Sequence, residues 1–372
     1  MPITRLVVGD FRNLERVELR PGRVSFISGA NGSGKTSLLE AISTLALGRS
    51  FRTRKFRNLI RFDQSELHLF CEFEQQGLTQ RLGAVRTKSG ESHFKLNDYP
   101  VSSALELASV LPCQLINSHS FSLLEGGPGE RRHFLDWLVF HVKPEFRRWW
   151  GEYARCLKQR NSLLRSDKMQ DLDLSVWNQA LATAGEHIDQ LRCAALELLL
   201  QETERLMKQE DRGVIREASL SMSYQPGWDR KSSLIHQLEE HLTRDLSLGH
   251  TTLGPHKADI KVSVNHRPAA EVLSRGQLKS LIVALYIAQV RVFLSCNPNS
   301  CLLLVDDLPA EVDQDSLRRL CEWFSQLENV QLFITGINLE DTLSYWPTHI
   351  DKKLFHVKQG QITEQTVFGA NP

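Results

Sequence analysis

The sequence predicts an α/β fold interrupted by a long helical insertion, and three features of its 372 residues carry that prediction. Near the N-terminus, RVSFIS (23–28) is a short β-branched and apolar run. It leads into the glycine-rich GANGSGKT (29–36), and then into TSLLEAISTLALG (36–48), which is apolar at helical spacing and closed by a glycine. Far downstream, CLLLVDDLPAEVD (301–313) places five apolar residues in a row before two acids, the pattern of a strand buried in a parallel sheet. Between these landmarks, residues 129–248 read as helix with few breakers.

In chain order, the elements fall into three parts. Residues 1–122 form the first part of a head. Residues 1–28 alternate apolar and polar in short runs, as do HLFCEFEQ (68–75), LTQRLGAVRT (78–87) and SHFKLNDYPV (92–101); all read as antiparallel strands flanking the glycine-loop unit. Residues 123–249 form a helical lobe, with turns marked by Pro144 and by SDKMQD (166–171). Residues 250–372 return to the head, with a strand at QLFITG (331–336) and a hairpin in FHVKQGQITEQTV (355–367) turning at Gly360.

Composition excludes several classes. The longest nearly apolar stretch, Leu281 to Val290, is closed off by Lys279 and Arg291, far short of the ~20 residues of a membrane span. The opening MPITRLVVGDFRN lacks the apolar core of a signal peptide, so a cytoplasmic protein with no membrane partner is expected. The seven cysteines stand singly and none has CxxC spacing, which suits reduced thiols and no structural zinc. A net charge of +1 means that any polyanion must be met by local patches.

GANGSGKT has the P-loop pattern at Gly29, Gly34, Lys35 and Thr36. Strand, glycine loop and helix is the order the chemistry requires, because backbone N–H groups at a helix start face the phosphates. The whole stretch Gly29, Ala30, Asn31, Gly32, Ser33, Gly34, Lys35, Thr36 and Ser37 is the candidate nucleotide cradle. Lys35 would reach the β and γ phosphates, and Thr36 would bind Mg²⁺. Asp306, at the end of the Cys301–Val305 run, would share that metal. Asp307 would orient or deprotonate the attacking water. No NKxD guanine-reading motif occurs, so ATP is the expected nucleotide.

Between these motifs, EVLSRGQLKSLIVALYIAQVRVFLS (271–295) puts Ser274 and Gly276 at the start of a helix of about 18 residues. A hydroxyl and free N–H groups at a helix start make an anion site; an ordinary N-cap is the other reading. LSRGQ resembles the signature motif of ABC-type ATPases and falls just upstream of the Walker B strand, as in that class. The fold so implied is an ABC-type, SMC/Rad50-like P-loop ATPase head with an inserted helical lobe. Walker A and Walker B lie about 270 residues apart, more than a transporter subunit needs and too few for long coiled-coil arms.

Further stretches narrow the resemblance: GDFRNL (9–14), GRSFRTRK (48–55), LLEGGPGERRHFLDW (123–137), LKQRNSLL (157–164), TTLGPHKADI (251–260), LSRGQLKSL (273–281) and VDDLPAEVD (305–313). Together they resemble the RecF family of bacterial recombination proteins along nearly the whole chain. The resemblance implies an ATP-dependent homodimer, with Ser274 and Gly276 of one copy capping the γ-phosphate held by the other. It implies binding of double-stranded and gapped DNA, and work with RecR and RecO in helping RecA displace single-strand binding protein. Arg12, after the first strand, would lie near the nucleotide. Departures are Ser118–His119 where the family has proline and a polar residue, Lys257 where arginine is commoner, and Thr335 at a switch position that is histidine in many transporters. A transporter ATPase subunit and a small-molecule P-loop kinase are the rival readings.

DNA contact is expected at the acid-free run Arg49, Arg52, Arg54, Lys55, Arg57 and Arg61, interleaved with Phe51 and Phe56. The lobe adds Arg131, Arg132, Lys143, Arg147, Arg148, Arg155, Lys158 and Arg160, where a partly salt-bridged face is the competing explanation. The GPH run at 254–256 has no evident reason in the sequence.

Overall fold

The structure is a computed structural model that describes residues 3–166, 174–208 and 219–365. The chain divides into two compact units, Met1–Phe121 with Lys279–Pro372, and Ser122–Leu278.

The first unit holds two six-stranded sheets. The antiparallel one is built from Ile3–Phe11, Leu14–Leu19, Glu66–Gln75, Leu78–Thr87, Ser92–Leu96 and the short Tyr99–Pro100. The Arg12–Asn13 turn closes its first hairpin, with Phe11 paired to Leu14. The other sheet is parallel at its centre, where Val330–Gly336 lies between the P-loop strand Val24–Ser28 and Cys301–Val305. Of the run expected to be antiparallel at 1–28, Val24–Ser28 therefore belongs to the parallel sheet. Its first four residues are buried in succession, whereas Leu14–Leu19 alternates and keeps one face in water.

The P-loop helix Lys35–Leu47 ends on Gly48, whose φ of 66° is the left-handed cap that glycine supplies without strain. Residues on every side of this helix are buried, because it is packed into a core shared by both sheets: Leu38, Leu39, Ile42 and Leu45 join Leu6, Val8, Leu69 and Phe333. Each such side chain contributes about 1.5–3 kcal/mol on burial. The C-terminal hairpin is Lys352–Lys358 and Gln361–Gln365, and it turns at Gln359–Gly360 as expected; residues beyond 365 lie outside the described ones. Among the described residues, the helix Arg275–Cys296 is the one long and apolar enough to cross a membrane, and 78% of its apolar stretch is buried inside the protein.

The second unit contains Pro128–Val142, Phe146–Leu163 and the 34-residue Ser175–Lys208, with a three-stranded sheet ordered Arg267–Pro268, Asp259–Val264, Leu220–Gln225. The lobe was expected to end near 249. The compact unit continues to Leu278 because Asp259–Val264 pairs antiparallel with Leu220–Gln225 and ties the following chain to the helices. Apart from Ser166, the expected SDKMQD turn lies outside the described residues.

Buried polar groups explain LKQRN and GPH. Arg160 is fully buried and donates to Asn178 Oδ1 at 2.7 Å, Asp245 Oδ2 at 2.6 Å and Thr251 Oγ1 at 2.8 Å. Asn161 Oδ1 accepts from the Thr251 amide at 2.7 Å. Gly254 has φ 123°, and a Cβ there would meet the Tyr153 hydroxyl oxygen at 2.4 Å. His256 follows, pushed down to about 4 by burial, so it is neutral near pH 7. Its Nε2 faces the Thr251 carbonyl at 3.0 Å and must donate there, so Nδ1 accepts from the Tyr153 hydroxyl at 2.6 Å. Arg192, also buried, forks onto Asp136 and donates to the Pro255 carbonyl at 2.8 Å. Arg131 pairs with Asp259 at 2.7 Å, so neither Arg131 nor Arg160 belongs to a solvated basic face.

Replacing Arg160 with alanine leaves Asp245 as a buried charge without its cation. We expect a loss of about 3–5 kcal/mol. Urea denaturation followed by circular dichroism checks this, and an unchanged midpoint would contradict it.

Candidate functional site

A cavity of about 510 Å³ lies over the P-loop, lined by Asn31, Gly32, Gly34, Lys35, Thr36 and Ser37 on one side. Arg12, Asn13, Arg52, Asn58, Ile60 and Asp307 supply the rest of its wall. The loop owes its shape to glycine. Gly29 has φ 153°, and a Cβ there would sit 2.4 Å from the Val357 carbonyl oxygen. Gly34 has φ 125°, and its Cβ would sit 2.9 Å from Leu14 Cδ2. The Lys35 ammonium donates to the carbonyls of Gly29 and Ala30 at 2.8 and 3.0 Å, which curls the loop around it. Burial lowers the Lys35 pKa from its ordinary value, and Asp307 and Asp306 oppose that shift.

The two acids stand at the end of Cys301–Val305. Asp306 Oδ1 accepts from the Thr36 hydroxyl at 3.0 Å and from the Thr335 hydroxyl at 2.7 Å. Thr335, at the expected switch position, thus braces the acid of the candidate metal pair and also accepts from the Asp307 amide at 2.9 Å. Asp307 itself adopts φ 55°, a conformation uncommon outside glycine, at the start of the short helix Leu308–Glu311. Burial raises its carboxyl pKa; Lys35 lowers it, and Asp306 and Glu311 raise it. Its Oδ1 and the Ser33 hydroxyl are buried without a hydrogen-bond partner among the described residues. Of the two, Asp307 lines the cavity, and an orphaned oxygen on a lining residue fits a bound polar ligand.

Arg12, expected near the nucleotide, lines the cavity and is held there by a residue the sequence reading missed. Glu40 lies in the P-loop helix with a wholly buried side chain, and it accepts from Arg12 Nε at 3.0 Å and Nη2 at 2.8 Å. The available signal was an acid inside the apolar run LLEAIS. Asn13 was also missed: it donates to the Gly32 carbonyl at 3.1 Å and accepts from Ser37 at 2.8 Å, joining the first hairpin to the loop. Gly360 supports the loop from the other end of the chain, donating its amide to the Ser33 carbonyl at 2.9 Å.

The basic run separates into three groups. Arg52 lines the cavity and approaches Glu40 at 3.5 Å. Arg61 is paired with Glu15 at 3.0 Å and Asp10 at 3.6 Å, acids distant in sequence. Arg49, Arg54, Lys55 and Arg57 are exposed and have no ion pair among the described residues. Ser274 is exposed in the second unit, where its hydroxyl accepts from the Gln277 amide at 3.4 Å while Gln277 Oε1 accepts from the Ser274 amide at 2.9 Å. That is a capping box, and it leaves Gly276 in the first turn of Arg275–Cys296.

Comparison with known proteins agrees with this geometry. The chain matches the RecF/RecN/SMC N-terminal domain family over residues 2–360. The DNA replication and repair protein RecF of Teredinibacter turnerae is 44% identical over 363 residues, covering 97% of this chain and 96% of that protein. Its counterpart from Saccharophagus degradans is 43% identical over 365 residues, covering 97% and 98%. A solved structure of the recombination mediator protein RecF with ATP, from the RecFOR pathway, superposes with a TM-score of 0.85 at 25% identity, over 98% of this chain and 99% of that one. An Smc head bound to the C-winged helix domain of ScpA shares the fold, with a TM-score of 0.61 at 13% identity over 100% of this chain and 99% of that one. A P-loop, two strand-end acids and a helical insertion thus occur together in an SMC- and ABC-type ATPase head, and the chain belongs to the RecF family of DNA replication and repair proteins.

Proposed function

We propose that this protein is an ATP-gated DNA-binding protein of recombinational repair and replication restart. On this reading it acts in the cytoplasm as an ATP-dependent homodimer on double-stranded and gapped DNA. RecO and RecR would be its partners in helping to load RecA. The observation that supports it most is the convergence of Lys35, Thr36 and Asp307 on one cavity, with Asp306 bonded to Thr36 from a chain position 270 residues away.

In the proposed cycle, loop amides and Lys35 hold the phosphates of ATP, and Thr36 and Asp306 hold Mg²⁺. The ion, when bound, neutralises phosphate charge. Asp307 orients water and takes its proton, with Thr335 fixing the backbone that carries it. Arg12 and Arg52 face the same cavity, which supports a nucleotide contact for Arg52 over a DNA contact. Ser274 and Gly276 cap the partner copy's γ-phosphate. Hydrolysis then serves to reopen the dimer, not to make a product for metabolism. Arg49, Arg54, Lys55 and Arg57 are the cations best placed for DNA, since no acid among the described residues pairs with them; Arg61 is already neutralised by Asp10 and Glu15.

Fluorescence anisotropy of a labelled gapped duplex tests this, with ATP, with ADP and without nucleotide, at two salt concentrations. Tight, salt-sensitive binding with ATP alone is expected. Replacing Arg54, Lys55 and Arg57 together by alanine should flatten the salt dependence by about 0.9 in the log–log slope for each phosphate that is no longer neutralised. Equal binding in all three nucleotide states would overturn the gating.

A further inference from the structure

Glu40 has a side chain with no exposure at all, and three residues gather on it. Arg12 forks onto both its oxygens, Ser50 donates its hydroxyl to Oε1, and Arg52 Nη1 lies 3.5 Å from Oε2. A carboxylate is stable in such a place only when charge and hydrogen bonds compensate it, and here both arginines do so. Both arginines also line the cavity over the P-loop.

The surrounding backbone is organised around the same point. Arg12 adopts φ 56°, an uncommon conformation for a residue with a side chain, in the turn that closes the first hairpin. Its amide donates to the Leu59 carbonyl at 2.7 Å, and the Arg61 amide donates to the Asp10 carbonyl at 2.8 Å. Ser50 Oγ, while donating to Glu40, accepts from the amides of Arg52 and Thr53 at 2.9 and 3.0 Å. One carboxylate therefore holds the cavity-facing guanidinium and the turn that begins the basic run. Arg12 uses Nε and Nη2 on Glu40; its Nη1 has no hydrogen bond among the described residues and remains for a ligand.

We infer that Glu40 is a positioning residue: it aims Arg12 at the bound nucleotide and ties that contact to the Ser50–Arg52 turn, so that nucleotide occupancy fixes the start of the basic run. This rests on the cavity binding ATP. Arg52 is the more loosely held arginine of the set. It is 47% exposed and its contact with Glu40 is long, so it can turn toward a polyphosphate while Arg12 stays forked. Arg54, Lys55 and Arg57 follow directly in the chain and take their placement from that turn.

The test uses the full-length protein with a fluorescent ATP analogue for affinity and hydrogen exchange for residues 50–53. In the wild type, ATP is expected to slow exchange there at least tenfold. Glu40→Gln removes the charge and keeps the volume. It should weaken ATP binding about tenfold and abolish the ATP-dependent protection, while protection of the P-loop strand is kept. Arg12→Gln should weaken ATP binding to a similar degree, and adding Glu40→Gln to it should cost much less than Glu40→Gln costs alone, because most of the effect of Glu40 passes through Arg12. A Glu40→Gln protein that binds ATP and protects residues 50–53 like the wild type overturns the inference. So does full additivity of the two substitutions. If Glu40→Gln does not fold, Arg12→Gln with unchanged ATP affinity overturns it alone. A wild type that binds no ATP instead removes the nucleotide reading itself, which distinguishes the two failures.

Discussion

Asp307→Asn is expected to bind ATP as the wild type does and to hydrolyse it roughly 10²–10⁴ times more slowly, the range a positioned general base supplies. The geometry behind this is specific. Asp307 is held by its backbone, through the Thr335 hydroxyl, and its side-chain Oδ1 makes no bond to protein among the described residues. That oxygen is buried and unpaired on a residue that lines the cavity, so a water held beside a bound phosphate is the partner it lacks. Asparagine fills the same volume but cannot take a proton. Burial of Asp307 raises its pKa, which makes it a better base than a solvated aspartate. Single-turnover hydrolysis and equilibrium nucleotide binding separate the two effects. The ATP-bound dimer should accumulate in this variant. Hydrolysis within a few-fold of the wild type would remove Asp307 from the chemistry and leave Asp306, already bonded to Thr36 and Thr335, as the acid that matters.

Ser274→Arg is expected to leave the monomer folded, ATP affinity within about a factor of two, and the ATP-dependent dimer undetectable. Ser274 is exposed, so an arginine meets no packed neighbour in its own unit. Within the chain, removing the cap costs about 0.5–2 kcal/mol. In the proposed sandwich, however, the small hydroxyl and the amides behind it must approach a γ-phosphate closely, and a long side chain prevents that approach. Light scattering with and without ATP reads the dimer, and melting temperature confirms the fold. A dimer of normal strength would remove the signature contact from the proposed cycle, while the ATPase head and its family membership would stand.

Much of the head was legible in the sequence because its signals are local. GANGSGKT between a β run and a helical run specifies a phosphate loop, and the structure shows why two of its glycines are required: Gly29 and Gly34 sit at positive φ where a Cβ would strike neighbouring atoms. CLLLVDD likewise specifies a buried strand ending in acids, and Asp306 accepts from the Thr36 hydroxyl. The basic run was harder. Six cations without an acid among them look equivalent in sequence. Folding brings Asp10 and Glu15 to Arg61, and Glu40 to Arg52, leaving four without ion pairs among the described residues.

By itself, the sequence determined the nucleotide-binding unit, the helical insertion and the family, since strand, loop and helix patterns and family motifs are properties of neighbouring residues. Tertiary structure alone decided which charges are structural and which are free. Arg160 and Arg192 look like surface cations in their helices and are buried on Asp245 and Asp136. Gly360 looks like a hairpin turn and also supports the phosphate loop through Ser33. Glu40 reads as a polar interruption of an apolar helix and proves to be the anion on which two arginines meet. The physical reason is the same in each case. A polar or charged group takes its role from the group that compensates it, and here that group lies between 12 and 327 positions away along the chain.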